Sequence, residues 1–106
     1  MKLTLALAVI LALAIPVSAQ IDVSKLGEMV GWTIAADTNI SGEFEGPDQD
    51  KVVKLDNGWI IEFEDYDYFY EYHPEIVIFA TQFKGVTLYK AVIDGGDDIY
   101  DIVRVH

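Results

Sequence analysis

The stretch KVVKLDNGWIIEFE, residues 51–64, places two β-rich runs on either side of Asn57-Gly58. Asn-Gly between such runs favours a two-residue type I′ turn, because both central positions take positive φ. In that register Leu55 faces Ile60, Val52 faces Phe63 and Lys51 faces Glu64: two apolar pairs and one of opposite charge. A hairpin is therefore expected here. Trp59 falls on the face of Ile61 and Phe63, at the core or its rim.

The same strand signals recur on either side of this stretch. Residues 31–36 and 40–44 read as strands flanking Asp37-Thr38-Asn39, a turn-rich insert that predicts a hairpin or a bend, and Trp32 at the start of the first is expected in the core. Gly46-Pro47-Asp48 then breaks the chain. Residues 75–81 and 86–93 are strands separated by Gln82-Phe83-Lys84-Gly85, and 99–105 follows the turn at 94–98, where Gly95-Gly96 serves a tight loop. Before all of these, Val23, Leu26, Met29 and Val30 follow helical spacing, with Asp22 or Ser24 available as a cap. The pattern is one short helix and six or seven short strands. So many strands in so short a chain leave exposed edges unless the sheet curls closed, which predicts a mainly β fold: a small antiparallel barrel, SH3-like or OB-like. A small two-sheet sandwich is the alternative.

The first residues point to export. Met1-Lys2 gives a positive start, residues 3–15 are apolar apart from Thr4, and Pro16-Val17-Ser18-Ala19 ends the run with small residues, so residues 1–19 read as a secretory signal peptide cleaved after Ala19. The run of 13 residues is short of the roughly 18 that a membrane span requires. Residues 20–106 then form one β-barrel domain with no membrane span. The chain has no cysteine, hence no acceptor for a lipid anchor and no disulfide, which fits a bacterial periplasm or extracellular space.

All 18 acidic residues lie beyond position 19 together with six of the seven basic ones, a net charge of −12 on the 87 residues that cleavage would leave. So acidic a surface repels nucleic acid and anionic lipid, and attracts cations and basic proteins at low ionic strength.

The unusual segment is EFEDYDYFYEYHPE, residues 62–75. In an extended strand Tyr66, Tyr68, Tyr70 and Tyr72 share one face, and Asp65, Asp67, Phe69 and Glu71 the other; residues 65–68 read equally as the tip of a loop. One reading packs part of the tyrosine row on the core with its hydroxyls reaching solvent. The other makes it an aromatic platform edged by the carboxylates of Asp65, Asp67 and Glu71, able to stack on a sugar ring or to receive Arg and Lys side chains. Only a continuous exposed row supports the second.

Metal and catalytic signals are thin. Asp48 with Asp50, Asp65 with Asp67, and Asp94, Asp97, Asp98 and Asp101 are hard donors suited to Ca²⁺, but none fits the D-x-[DN]-x-[DN]-G loop with its distal glutamate, and no metal site or cofactor is expected. His73 and the terminal His106 are the only histidines. Ser24 or Ser41 could be imagined with His73 and an acid, yet no motif places them together. His73 precedes Pro74, so an extended backbone at a strand bend is expected there.

Residues 42–46, 50–58, 72–76, 89–93 and 99–104 together resemble a group of small exported bacterial proteins of unknown function with an SH3-like barrel. The likeness spans most of residues 30–105. It implies fold and compartment, and it supplies no catalytic residues to carry over. The expected function is that of an exported, non-enzymatic binding module whose acidic, tyrosine-rich surface meets a basic protein partner in the cell envelope. A ligand module for cell-envelope carbohydrate or Ca²⁺ is the alternative.

Overall fold

The computed structural model describes residues 21–106. The signal-peptide reading of residues 1–19 lies outside the described residues. The elements are a one-turn helix α1 (Val23–Leu26), a 3₁₀ turn (Gly27–Met29), and strands β1 (Thr33–Asn39), β2 (Glu43–Phe44), β3 (Val52–Lys54), β4 (Ile60–Phe63), β5 (Glu71–Tyr72), β6 (Glu75–Phe83), β7 (Val86–Ile93) and β8 (Tyr100–Arg104). Six strands form one antiparallel sheet in the order β1-β6-β7-β8-β4-β3, and β2 pairs with β5 in a two-stranded ribbon. The fold is mainly β with one short helix, and its sheet curls into a half-barrel. Among the described residues no helix is long and apolar enough to cross a membrane.

The hairpin around Asn57-Gly58 forms, but one residue out of the expected register: Val53 faces Ile61 and Lys54 faces Ile60. Its loop has three residues, Asp56-Asn57-Gly58. The Leu55 amide donates to the Trp59 carbonyl at 2.8 Å, the Gly58 amide to Leu55 at 3.0 Å, and Gly58 alone in the loop takes positive φ, 92°. The reason is burial. A two-residue turn would have set Leu55 with Ile60 and Glu62 on one face, and Phe63 with Lys54 on the other. The observed register gathers Val53, Leu55, Trp59, Ile61 and Phe63 on the core side and turns Val52, Lys54 and Glu62 away, so no charge is forced inward. The type I′ geometry appears instead at Lys84-Gly85 (φ 51° and 80°), joining β6 to β7 in the longest hairpin of the sheet.

Asp37-Thr38-Asn39, expected as a turn, belongs to β1 and pairs with Val77, Ile76 and Glu75 of β6. Long-range pairing outweighs the local turn preference, and the chain reverses at Ser41-Gly42, where Gly42 has φ 79°. α1 is capped by Asp22, whose carboxylate accepts the Ser24 amide at 3.1 Å. The helix expected over residues 23–30 stops after one turn and tightens to 3₁₀, which rotates its apolar positions apart. Met29 is buried, whereas Val23, Leu26 and Val30 are exposed. Trp32, expected in the core, is half-buried outside the core cluster, with Lys90 Nζ 5.6 Å from its ring centroid.

The core is Ile40, Phe44, Val53, Leu55, Ile61, Phe63, Ile76, Ile78, Ala91, Ile93, Tyr100 and Ile102, with Ala36, Trp59, Phe69 and Tyr89 packed against it. Each fully buried large apolar side chain contributes about 1.5–3 kcal/mol, so this set carries the fold. The two edge strands of the sheet meet at one end. Ile40 bridges Leu55 antiparallel, the Ser41 amide donates to Lys54 at 3.1 Å and the Asp56 amide to Asn39 at 2.9 Å. Those contacts draw the half-barrel shut beside β2 and β5, which is where the tyrosine segment lies.

Candidate binding surface

Between β4 and β6 the chain needs a cover for one end of the core, and the alternation of residues 65–72 supplies it. Phe69 turns inward to the buried rings, 5.6 Å from Phe44 at 70° and 6.3 Å from Tyr100 at 26°. Asp67 points the same way: its Oδ2 accepts the Tyr100 hydroxyl at 2.7 Å and its Oδ1 the Tyr68 amide at 2.8 Å. Asp65 Oδ2 accepts the Asp101 amide at 2.7 Å. Glu71, half-buried, packs so closely on Gly95 that a side chain there would collide with it.

With that face held down, the other must point out. Tyr66, Tyr68, Tyr70 and Tyr72 are 70%, 69%, 53% and 70% exposed, so the row is continuous and none of it packs on the core, contrary to the reading that buries part of it. Only Glu71–Tyr72 is regular strand; the segment keeps its alternation through side-chain anchors rather than through a sheet ladder.

The seven residues singled out in the sequence thus divide. The four tyrosines form the outward surface, while Asp65, Asp67 and Glu71 lie on the opposite, inward side and tie the segment to β8 and the 94–98 turn. The carboxylates on the tyrosine side come from elsewhere. Glu43 lies opposite Tyr72 in the β2–β5 ribbon, and its Oε1 accepts the Tyr70 hydroxyl at 3.2 Å. Partial desolvation, this hydrogen bond and the negative charges of Glu43 and Glu45 push the Tyr70 phenol above its ordinary value. The pairing of residues 43 and 72 spans an irregular stretch that no local periodicity crosses, which is why neither glutamate stood out in the sequence.

A cleft of about 240 Å³ lies beside the row, lined by Glu45, Gly46, Pro47, Asp48, Lys51, Tyr66, Asp67 and Tyr68. Its floor is fixed by backbone contact. The Asp67 amide donates to the Pro47 carbonyl at 3.0 Å. Gly46, buried with φ 96°, leaves no room for a Cβ beneath the Asp67 carbonyl.

At the closing seam Asp56 accepts the Ser41 hydroxyl on Oδ1 at 2.6 Å and meets His73 Nε2 through Oδ2 at 2.5 Å. The Ser41 bond first, and His73 second, hold the Asp56 carboxyl below its ordinary value. Ser41 and His73, which no motif joined, do come together. The carboxylate stands between them, however, whereas an acyl-transfer triad places the histidine between acid and nucleophile. The geometry is that of a polar clasp over three loops. His73 takes φ 52°, left-handed instead of the extended backbone expected before Pro74. Its carbonyl accepts the Asn39 side-chain amide at 3.0 Å, and its own amide donates to Gly42 at 2.8 Å.

Among the described residues no three His, Asp or Glu side chains are grouped to hold a metal ion. Compared with protein-family models, with curated proteins and with solved structures, the chain matches none.

Proposed function

We propose that this chain is an exported, non-enzymatic binding module, kin in architecture to small SH3-like exported proteins, whose tyrosine surface engages a basic protein in the cell envelope. The observation that carries the reading is the simultaneous exposure of Tyr66, Tyr68, Tyr70 and Tyr72 on a segment whose opposite side is held to the core and to β8 by Phe69, Asp67 and Asp65. Large rings cost little side-chain entropy to hold and offer both apolar area and a hydroxyl, which is why tyrosine concentrates at protein interfaces. Glu43 and Glu45 supply negative charge on the same side.

The test is capture of envelope and secreted proteins on immobilised residues 20–106, alongside a folded Tyr66→Ser/Tyr68→Ser/Tyr70→Ser variant. A stoichiometric basic partner, released by salt and lost with the variant, is the expected result; a partner that the variant retains overturns the assignment of the surface. Exposed rings also suit stacking on a saccharide. Binding of envelope glycan that persists near ~1 M salt, where exposed charges are screened beyond about 3 Å, would favour that carbohydrate-binding alternative.

A further inference from the structure

We infer that the cleft between residues 45–48 and Tyr66–Tyr68 is a subsite for an arginine side chain of the partner, selective for guanidinium over ammonium. This rests on the reading of the tyrosine row as a protein-binding surface and names the chemistry of the group it takes.

Size comes first. At about 240 Å³ the cleft is below the roughly 300–1,000 Å³ of small-molecule pockets, so it suits the head of one side chain. Two of its lining residues, Tyr66 and Tyr68, present rings that are about 70% exposed, against which a flat, weakly hydrated cation can stack. Two others, Glu45 and Asp48, are exposed carboxylates, which can receive a planar fork of N–H donors. A guanidinium satisfies both demands at once; a compact ammonium gains the charge attraction and little of the stacking.

Two features make the cleft more than an acidic patch. Its floor is rigid, because Gly46 and Pro47 lie directly on the Asp67 backbone and Asp67 is itself held by Tyr100; a preformed site avoids part of the ordering cost of binding. It also contains one cation of its own, Lys51, exposed and without a side-chain ion pair among the described residues. Lys51 opposes an incoming positive group, so its removal strengthens binding by an arginine and leaves the tyrosine walls intact.

The experiment titrates the chain, residues 20–106, with two nonapeptides of equal charge, one of arginine and one of lysine, at low salt and at 0.3 M salt. Tyrosine fluorescence and calorimetry read the binding. The expected result is at least tenfold tighter binding of the arginine peptide, a preference that survives in salt, weakening toward the lysine value in Tyr66→Ser/Tyr68→Ser, and strengthening in Lys51→Ala. Equal affinity for both peptides overturns the subsite and leaves the basic-partner reading standing. Binding of neither overturns both. An arginine preference that persists in Tyr66→Ser/Tyr68→Ser overturns the location.

Discussion

The Tyr100 hydroxyl, at the start of β8, donates to Asp67 Oδ2 at 2.7 Å across 33 positions of sequence. That bond, with the stacking of Phe69 on Tyr100, turns the acidic side of residues 65–71 inward and so turns the tyrosines out. Tyr100 is 3% exposed, and its burial, then Asp67, raise its phenol far above the ordinary tyrosine range.

Tyr100→Phe keeps the ring and deletes the donor. A hydrogen bond to a charged acceptor is worth about 1.5–3 kcal/mol, so urea denaturation at pH 7 should show a loss of that order. Because the folded phenol titrates above the unfolded one, its stabilisation is complete below the unfolded value near pH 10 and declines as pH rises beyond it. The wild type should therefore lose stability above about pH 10 more steeply than the variant.

Asp56 gives the opposite slope. Its folded carboxyl lies below the ordinary value through Ser41 and His73, so its contribution is present above the unfolded range and is lost as pH falls below about 4. Asp56→Ala should be less stable than wild type at pH 7, and the difference should shrink on acidification. Chemical denaturation at pH 7 and at pH 3 checks it; a constant difference would contradict the clasp.

Across the β1–β6 pair, Asp37 holds the Glu75 carboxyl above its ordinary value through a shared hydrogen bond and charge repulsion, with Asp94 adding to it. A raised carboxyl is favourable when protonated and a liability once pH exceeds its folded value. Asp37→Asn should accordingly raise the thermal midpoint at pH 7 and leave it nearly unchanged at pH 3, read by circular dichroism.

Tyr68→Ser and Phe69→Ala separate the two sides of one segment. An exposed ring away from special contacts should cost within about 0.5 kcal/mol, whereas Phe69, packed between Phe44 and Tyr100, should cost about 2–4 kcal/mol.

Much of the fold was legible in local pattern. β3 and β4 follow from alternating apolar residues about a turn signal, and β6, β7 and β8 from similar runs between glycine-rich breaks. Turn chemistry alone does not decide where this chain reverses. Asn57-Gly58 is a good type I′ pair, but a type I′ loop would have mixed Glu62 or Lys54 into the core face, and burial overrode it. Asp37-Thr38-Asn39 lost its turn character to pairing with residues 75–77, almost forty positions away.

The candidate surface divides along the same line. That Tyr66, Tyr68, Tyr70 and Tyr72 share one side and Asp65, Asp67, Phe69 and Glu71 the other was determined by the sequence itself, because an extended backbone alternates its side chains whatever surrounds it. Which side faces water was decided by tertiary structure: Phe44, Tyr100 and the Asp101 amide, all remote in sequence, engage Phe69, Asp67 and Asp65 on one side, and the tyrosines of the other are left exposed. The same distance dependence brought Glu43, Glu45 and the 45–48 loop to the tyrosines, since contacts made by chain closure leave no periodic trace in either segment.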